Sequence, residues 1–546
     1  MFKLKGKWGP LILISLASFI MVIDTTAMNV SISYLVHDLN TSIGTIQTIM
    51  SIYTLVMASL MLLGAKIADI IGKSKAFVIG TIIYGVGTTT AALALNTTML
   101  LIGWSLIEGF AAALMMPTVL ALITSIYKGK DRAVAFSIQG AMASIALCAG
   151  PIVGGLLSTY LSWRFVFGGE LIIVITILIF SKTLTGVKTS ANKEEKIDWG
   201  GVILTIFSLS FLILGFLMAK TYGWWTAKKP FLLGGLEINI FGLSITPVFL
   251  LIGIIFIFIL FTWLKGRIKN NKIPLFHPDI FKNRVFSPGV TVGALTQMAF
   301  IGTLFTMPIY LQTIKGYTGF ETGLAILPLS LSLLLISFFI PKLSYKILPK
   351  YLLIAGTALI GTGVIILLFL FSGDRIVGGL DLIPAYILMG LGLGMMVTII
   401  NNVSLSNIKP ELQNEGSGMV YTFNNLGNSM STAIIGSILI GAILSNLTLG
   451  LTESKILNKD HLARTEISAA LEDQSVQMET EALESIKLQP EEEEEFKRII
   501  VDSFDKSMQS VLTASLIIVL IDFLVILLIL PKVRFGDPQK KKEQKT

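Results

Sequence analysis

Of 546 residues, 53% are hydrophobic and only 14% are charged, with a mean hydropathy of +0.79, where a soluble domain carries roughly 25% charged residues. That excludes a water-soluble enzyme, and the long apolar blocks exclude an outer-membrane barrel, whose strands alternate over about ten residues. The single cysteine, Cys148, and three histidines without ligand spacing give no grounds for a disulfide, a metal site or a redox cofactor.

Taken in chain order, apolar blocks of about twenty residues predict fourteen membrane-spanning helices, so the fold class expected is an all-α polytopic membrane protein. Lys3, Lys5 and Lys7 ahead of the first block imitate a secretion signal, but the block is too long and a second follows at once. Six blocks centre near Met21, Met57, Gly85, Ala112, Ala146 and Val174, two near Leu209 and Ile255, and six near Thr296, Leu331, Gly361, Leu393, Ala433 and Ile521. The expected units are a six-helix half over 1–198, two additional helices over 199–272, and a second six-helix half over 273–546.

Assigning the loops to alternate sides puts 29 of the 42 basic residues on one side, six in short loops opposite and seven in one long loop. Short loops set orientation, so both termini are expected in the cytoplasm of a multi-pass plasma-membrane protein. The net charge of +8 follows from this bias and gives no reason to expect nucleic acid as a partner. The long loop, 446–507, is acidic and is expected outside, as a solvated helical hairpin or flap.

Two basic connections, 65–75 and 341–350, each follow the second helix of a six-helix half and form a weak internal repeat. Repeated halves in a membrane are a transporter architecture, with the substrate site at mid-depth between them.

Several separated motifs resemble the major facilitator superfamily, in particular its fourteen-span drug/proton antiporter branch. Asp24-Thr25-Thr26-Ala27-Met28-Asn29-Val30-Ser31 resembles D-x-T-x-x-N-V-A. The loop carrying Asp69, Gly72, Lys73 and Lys75 resembles G-x-L-A-D-x-x-G-R-K, and Gly150-Pro151-Ile152-Val153-Gly154-Gly155 matches G-P-x-x-G-G. Trp163-Arg164-Phe165-Val166-Phe167 resembles W-R-W-I-F, and Tyr310-Leu311-Gln312 opens the most diagnostic run of the second half. The resemblance implies a major facilitator fold, two halves latched in one access state by the 65–75 loop, and a bendable, closely packed contact at 150–155. Two departures stand out. Where the branch has R-x-x-Q-G in span four, this chain reads Ser105-Leu106-Ile107-Glu108-Gly109, which removes a buried arginine and introduces an acid. In span thirteen, Asn424 stands in the arginine position.

Four acids lie within apolar spans: Asp24, Glu108, Glu170 and Asp522. A bare carboxylate at bilayer depth costs about 2.5–3.5 kcal/mol, so each needs a partner, a watery cavity or a proton. Asp24 and Glu108, with Asn29, are expected to form a proton-linked, substrate-facing pair; Glu170 could instead be interfacial, and Asp522 could contact a neighbouring helix. Tyr53, Trp104, Met116, Tyr310, Gln312 and Asn424 are candidates for the cavity wall. The function expected is proton-driven export of amphipathic, cationic small molecules by a monomer in contact with lipid, needing no cofactor beyond the proton gradient. The alternative is a lipid or single-metabolite exporter of the same fold, without proton coupling.

Overall fold

Helices follow from solvation: in hydrocarbon every backbone N–H and C=O must be paired within its own segment. The computed structural model describes residues 6–41, 43–185, 197–227, 230–233, 236–238, 242–373, 376–409, 412–454 and 490–533. Helices occupy all fourteen expected positions. The first six are α1 (Gly9–Val30), α2 (Ile43–Ile71), α3 (Lys73–Ala92), α4 (Thr97–Ile126), α5 (Gly129–Tyr160) and α6 (Arg164–Ile179). The additional pair is α7 (Trp199–Tyr222) and α8 (Ile245–Lys269). The second half comprises α9 (Phe286–Lys315), α10 (Gly319–Lys346), α11 (Pro349–Phe371), α12 (Ile383–Leu405), α13 (Gln413–Glu453) and α14 (Pro490–Leu524).

Among the described residues, twelve of these are long and apolar enough to cross a membrane. The other two are α3, which is diluted by glycine and threonine, and α6, which is only 16 residues long. A short antiparallel hairpin, β1 (Phe231–Leu233) and β2 (Leu236–Ile238), joins α7 to α8 and adds a small strand element to the otherwise helical chain. The acidic segment expected at 446–507 has helical ends, because α13 runs on to Glu453 and α14 begins at Pro490; residues 455–489 lie outside the described residues.

One apolar core is built mainly from the first half, with residues of α7, α8, α9 and α13 packed into it, and a second core from the second half. The halves meet reciprocally: α2 packs on α13 and α5 on α10. The second helix of each half thus meets the fifth of the other, as an internal repeat requires. Small residues permit the second contact, since a methyl group at Gly155 would collide with the backbone of Gly319 and one at Gly323 would lie 2.6 Å from the Pro151 carbonyl oxygen. The α7–α8 pair packs through α7 onto α13 and α2. Asp198 fastens it: this buried side chain caps α7 at Gly201, accepts from Trp263 Nε1 at 3.1 Å and from the Leu275 amide at 3.2 Å, and faces Arg267 at 3.4 Å.

Candidate functional site

Between the halves lies a cavity of about 210 Å³. From the first half it is lined by Asn29, Tyr53, Met116 and Gln139, and from the second by Gln297, Asn401, Asn424 and Asn428. Asn424, Asn428 and Thr432 follow one another at four-residue spacing, so they form a polar stripe on one side of α13. Among the described residues that line the cavity there is no Asp, Glu, Lys, Arg or His.

The acids are elsewhere. Asp24 and Glu108 are fully buried, Glu170 is 2% exposed, and one carboxylate oxygen from each lies within 4.8 Å of the others. Local structure brings them together. Residues Leu101–Glu108 of α4 form a π-helical stretch, a widening that recurs at functional sites. Gly87 lets α3 approach it, since a methyl group there would sit 2.8 Å from the Glu108 amide. A methyl group at Gly154 would lie 2.7 Å from the Ala27 Cα, so this glycine lets α5 close on α1 just beyond Asp24.

Each acid accepts one hydrogen bond: from Trp104 Nε1 to Asp24 at 2.9 Å, from Thr88 Oγ1 to Glu108 at 3.1 Å, and from Tyr84 Oη to Glu170 at 3.3 Å. The second oxygen of each is buried without a hydrogen-bond partner. Tyr53 joins cluster and cavity. Its ring stacks on Trp104, the donor to Asp24, with centroids 5.7 Å apart, and the residue also lines the cavity.

This arrangement corrects several expectations. Asp24 and Glu108 do not face the cavity; they form a dry chamber behind its wall, because Trp104 and Tyr53 stand across the path. Glu170 is not interfacial but belongs to that chamber, since α6 packs inward on α3 and α1. Trp104 therefore supports the chamber rather than the cavity. Tyr310 is a packing residue against Phe371, 4.9 Å between centroids, and Gln312 accepts from Ser33 Oγ at 2.9 Å beyond the cavity. Asp522, 2% exposed, accepts from Thr296 Oγ1 at 3.0 Å, one residue behind the cavity wall of the second half.

Asp69, Gly72 and Lys73 fall at one rim, whereas Gly150, Gly154 and Gly155 lie within the bundle against α1 and α10. Gly72 has φ 93°, a left-handed value that favours glycine, and opens α3. Lys73 Nζ donates to Ser125 Oγ at 2.9 Å. Asn414 of α13 donates to Asp69 Oδ1 at 2.5 Å and to the Ala65 carbonyl at 3.1 Å, a polar tie between the halves. Beside it, Glu415 accepts from the His277 amide at 2.9 Å and from its ring at 3.1 Å; that hydrogen bonding holds the imidazole above the ordinary histidine range, with burial pulling the other way. At the opposite rim, burial works against the charged form of Asp38, but hydrogen bonds from Arg164 at 2.5 Å and Trp163 at 3.1 Å outweigh it and hold the carboxyl below the usual carboxylate range.

The sequence patterns did not point to Tyr84 and Thr88 as donors, to Asn414 as the partner of Asp69, or to the amides Gln139, Gln297, Asn401 and Asn428. The four-residue spacing of Asn424, Asn428 and Thr432 was the signal available for the stripe.

A family model described as "Major Facilitator Superfamily" matches residues 14–277 and 231–432. The chain is 30% identical over 416 residues, 75% of its length and 83% of the relative's, to the quinolone resistance protein NorB of Staphylococcus aureus. It is 26% identical over 443 residues, 81% of its length and 83% of the relative's, to the puromycin resistance protein pur8 of Streptomyces alboniger. In fold it resembles the proton:xylose symporter XylE, with a TM-score of 0.57 at 10% identity, covering 98% of each chain.

Proposed function

The chain belongs to the Major Facilitator Superfamily and is a multi-pass membrane transporter with drug- and antibiotic-resistance relatives; on that premise we propose that it exports amphipathic small molecules in exchange for protons. The observation that carries this reading is Tyr53, shared between a cavity and a sealed chamber of three acids. Three negative charges at that spacing repel one another, and each acid already has its one donor. A proton is the smallest counter-charge that can enter.

Protonation from outside through the cavity would move Tyr53 and Trp104, favour the inward-open arrangement and release cargo outside; loss of the proton inside would restore the starting state. A proton shifts that equilibrium only by binding the two states differently. The quinolone and puromycin named for the relatives are aromatic, which agrees with a wall containing Tyr53, Phe300, Phe305 and Tyr421. The basic-residue bias supports an orientation with both termini cytoplasmic, and the two halves enclose a cavity within one chain, so a monomer suffices.

The test is efflux from loaded proteoliposomes. An acidic exterior should accelerate it, and Asp24→Asn or Glu108→Gln should remove that acceleration. Efflux indifferent to the gradient in the unaltered protein would sink the antiport reading.

A further inference from the structure

The polar lining of the cavity is made of hydroxyls and carboxamides. Asn29 and Gln139 reach it from the first half, and Gln297, Asn401, Asn424 and Asn428 from the second. The side-chain carbonyl oxygens of Asn424 and Asn428 are buried and accept no hydrogen bond. An unpaired buried acceptor is costly, and a ligand donor would relieve it. Thr296, also on the wall, spends its hydroxyl proton on Asp522 at 3.0 Å and so does not offer it to a ligand. Two unpaired acceptors therefore stand one helical turn apart on α13, beside a hydroxyl whose proton is already committed.

Formal charge is absent from the described residues of the same surface. A permanent cation placed there would lose its hydration without touching a carboxylate, because Asp24, Glu108 and Glu170 are screened by Tyr53 and Asp522 by Thr296. The arginine of the branch is replaced by Asn424, which removes positive charge without supplying negative charge. Aromatic rings on both sides of the amides, Tyr53 from one half and Phe300 and Tyr421 from the other, suit a flat body.

We infer that the cavity selects uncharged, flat molecules bearing N–H or O–H donors, and discriminates against permanent cations that have no donor. The inference rests on the proposal that this cavity carries the exported cargo, but not on proton coupling. It replaces the cationic substrate expected from the acids of the sequence with a neutral one.

Three probes share one ring system: acridone, neutral with an N–H; N-methylacridone, neutral without it; and N-methylacridinium, a permanent cation. Binding to the full chain in lipid nanodiscs, with no pH gradient, is followed by probe fluorescence. Acridone should bind about tenfold more tightly than N-methylacridone, the contribution of one hydrogen bond to a buried acceptor, and N-methylacridinium should bind more weakly still. Asn424→Leu or Asn428→Leu should lower acridone to the level of N-methylacridone. Asn428→Asp, a nearly isosteric change that adds charge, should raise N-methylacridinium affinity about tenfold or more, and this gain keeps the test decisive if the leucine variants fail to fold.

N-methylacridinium binding the unaltered protein as tightly as acridone, or no binding of any probe, would overturn the inference. Acridone binding that persists in a protein whose efflux ignores the gradient would overturn the antiport reading and leave the ligand class standing.

Discussion

The cavity and the acid chamber sit on either side of Tyr53 and solve opposite problems. The cavity is roomy, uncharged among its described residues and lined by amides and hydroxyls, so it can hold a neutral ligand without a buried charge. The chamber is dry and tight, with three carboxylates and one donor apiece. The contrast teaches that recognition and energy coupling need not share side chains. They need only share a wall, here one tyrosine ring stacked on one tryptophan.

Separating the two functions by mutation would break or sharpen this contrast most strongly. Asp24→Asn and Glu108→Gln should each reduce gradient-driven efflux by about 5- to 150-fold, the usual span of a coupling free energy, while ligand affinity measured without a gradient stays put. Asn401→Leu should do the reverse. If the acid variants lose affinity instead, cavity and chamber are one site.

Next in size is Trp104→Phe, which takes the indole donor from Asp24. Leaving that buried oxygen unpaired should cost about 1–3 kcal/mol, seen as a lower thermal midpoint with ligand affinity retained. An unchanged midpoint would mean that Asp24 finds another donor.

Asn414→Ala removes the tie from α13 to Asp69 and Ala65. Its expected cost, about 1 kcal/mol, should appear as a shift toward the arrangement in which that rim is open, measured by spin-label distances across α2 and α13. An unaltered distance distribution would show that the tie does not hold the halves.

The smallest effect belongs to His277. Its imidazole is raised by Glu415, so the contribution of the charged pair is full below the ordinary histidine pKa of 6.5 and fades as pH rises through the raised value. Because the ring is 40% exposed, the effect should stay under about 1 kcal/mol. A spin-label distance between the 279 region and α13 should lengthen as pH rises at that rim, and His277→Phe should abolish the dependence.

The fold was legible to the degree that hydrophobicity dictates it. Block length and loop charge located the helices, and the glycines of 150–155 announced close packing that Gly154 and Gly155 fulfil. The site was legible only as an inventory. Asp24, Glu108 and Glu170 are far apart in the chain, and whether a buried acid faces a cavity or a neighbouring helix depends on helix rotation. In α4 that rotation is altered by the π-helical stretch Leu101–Glu108, which composition does not reveal. Asn29 and Asn424 stood out because they fall in motifs, whereas Gln139, Gln297, Asn401 and Asn428 did not, because a carboxamide in an apolar helix carries no charge to mark it, although the Asn424, Asn428 and Thr432 spacing was there to be read.

The added pair α7–α8 lies along the α2–α13 seam, pinned by Asp198, and among the described residues it has no counterpart over α5–α10. The transporter thus has a shuttered flank and a bare one. A molecule dissolved in the bilayer that approaches sideways meets two extra helices on the first flank, and on the second the glycine-lined seam where Gly155 meets Gly319. The two seams of an otherwise repeated bundle thereby become inequivalent toward the lipid around them.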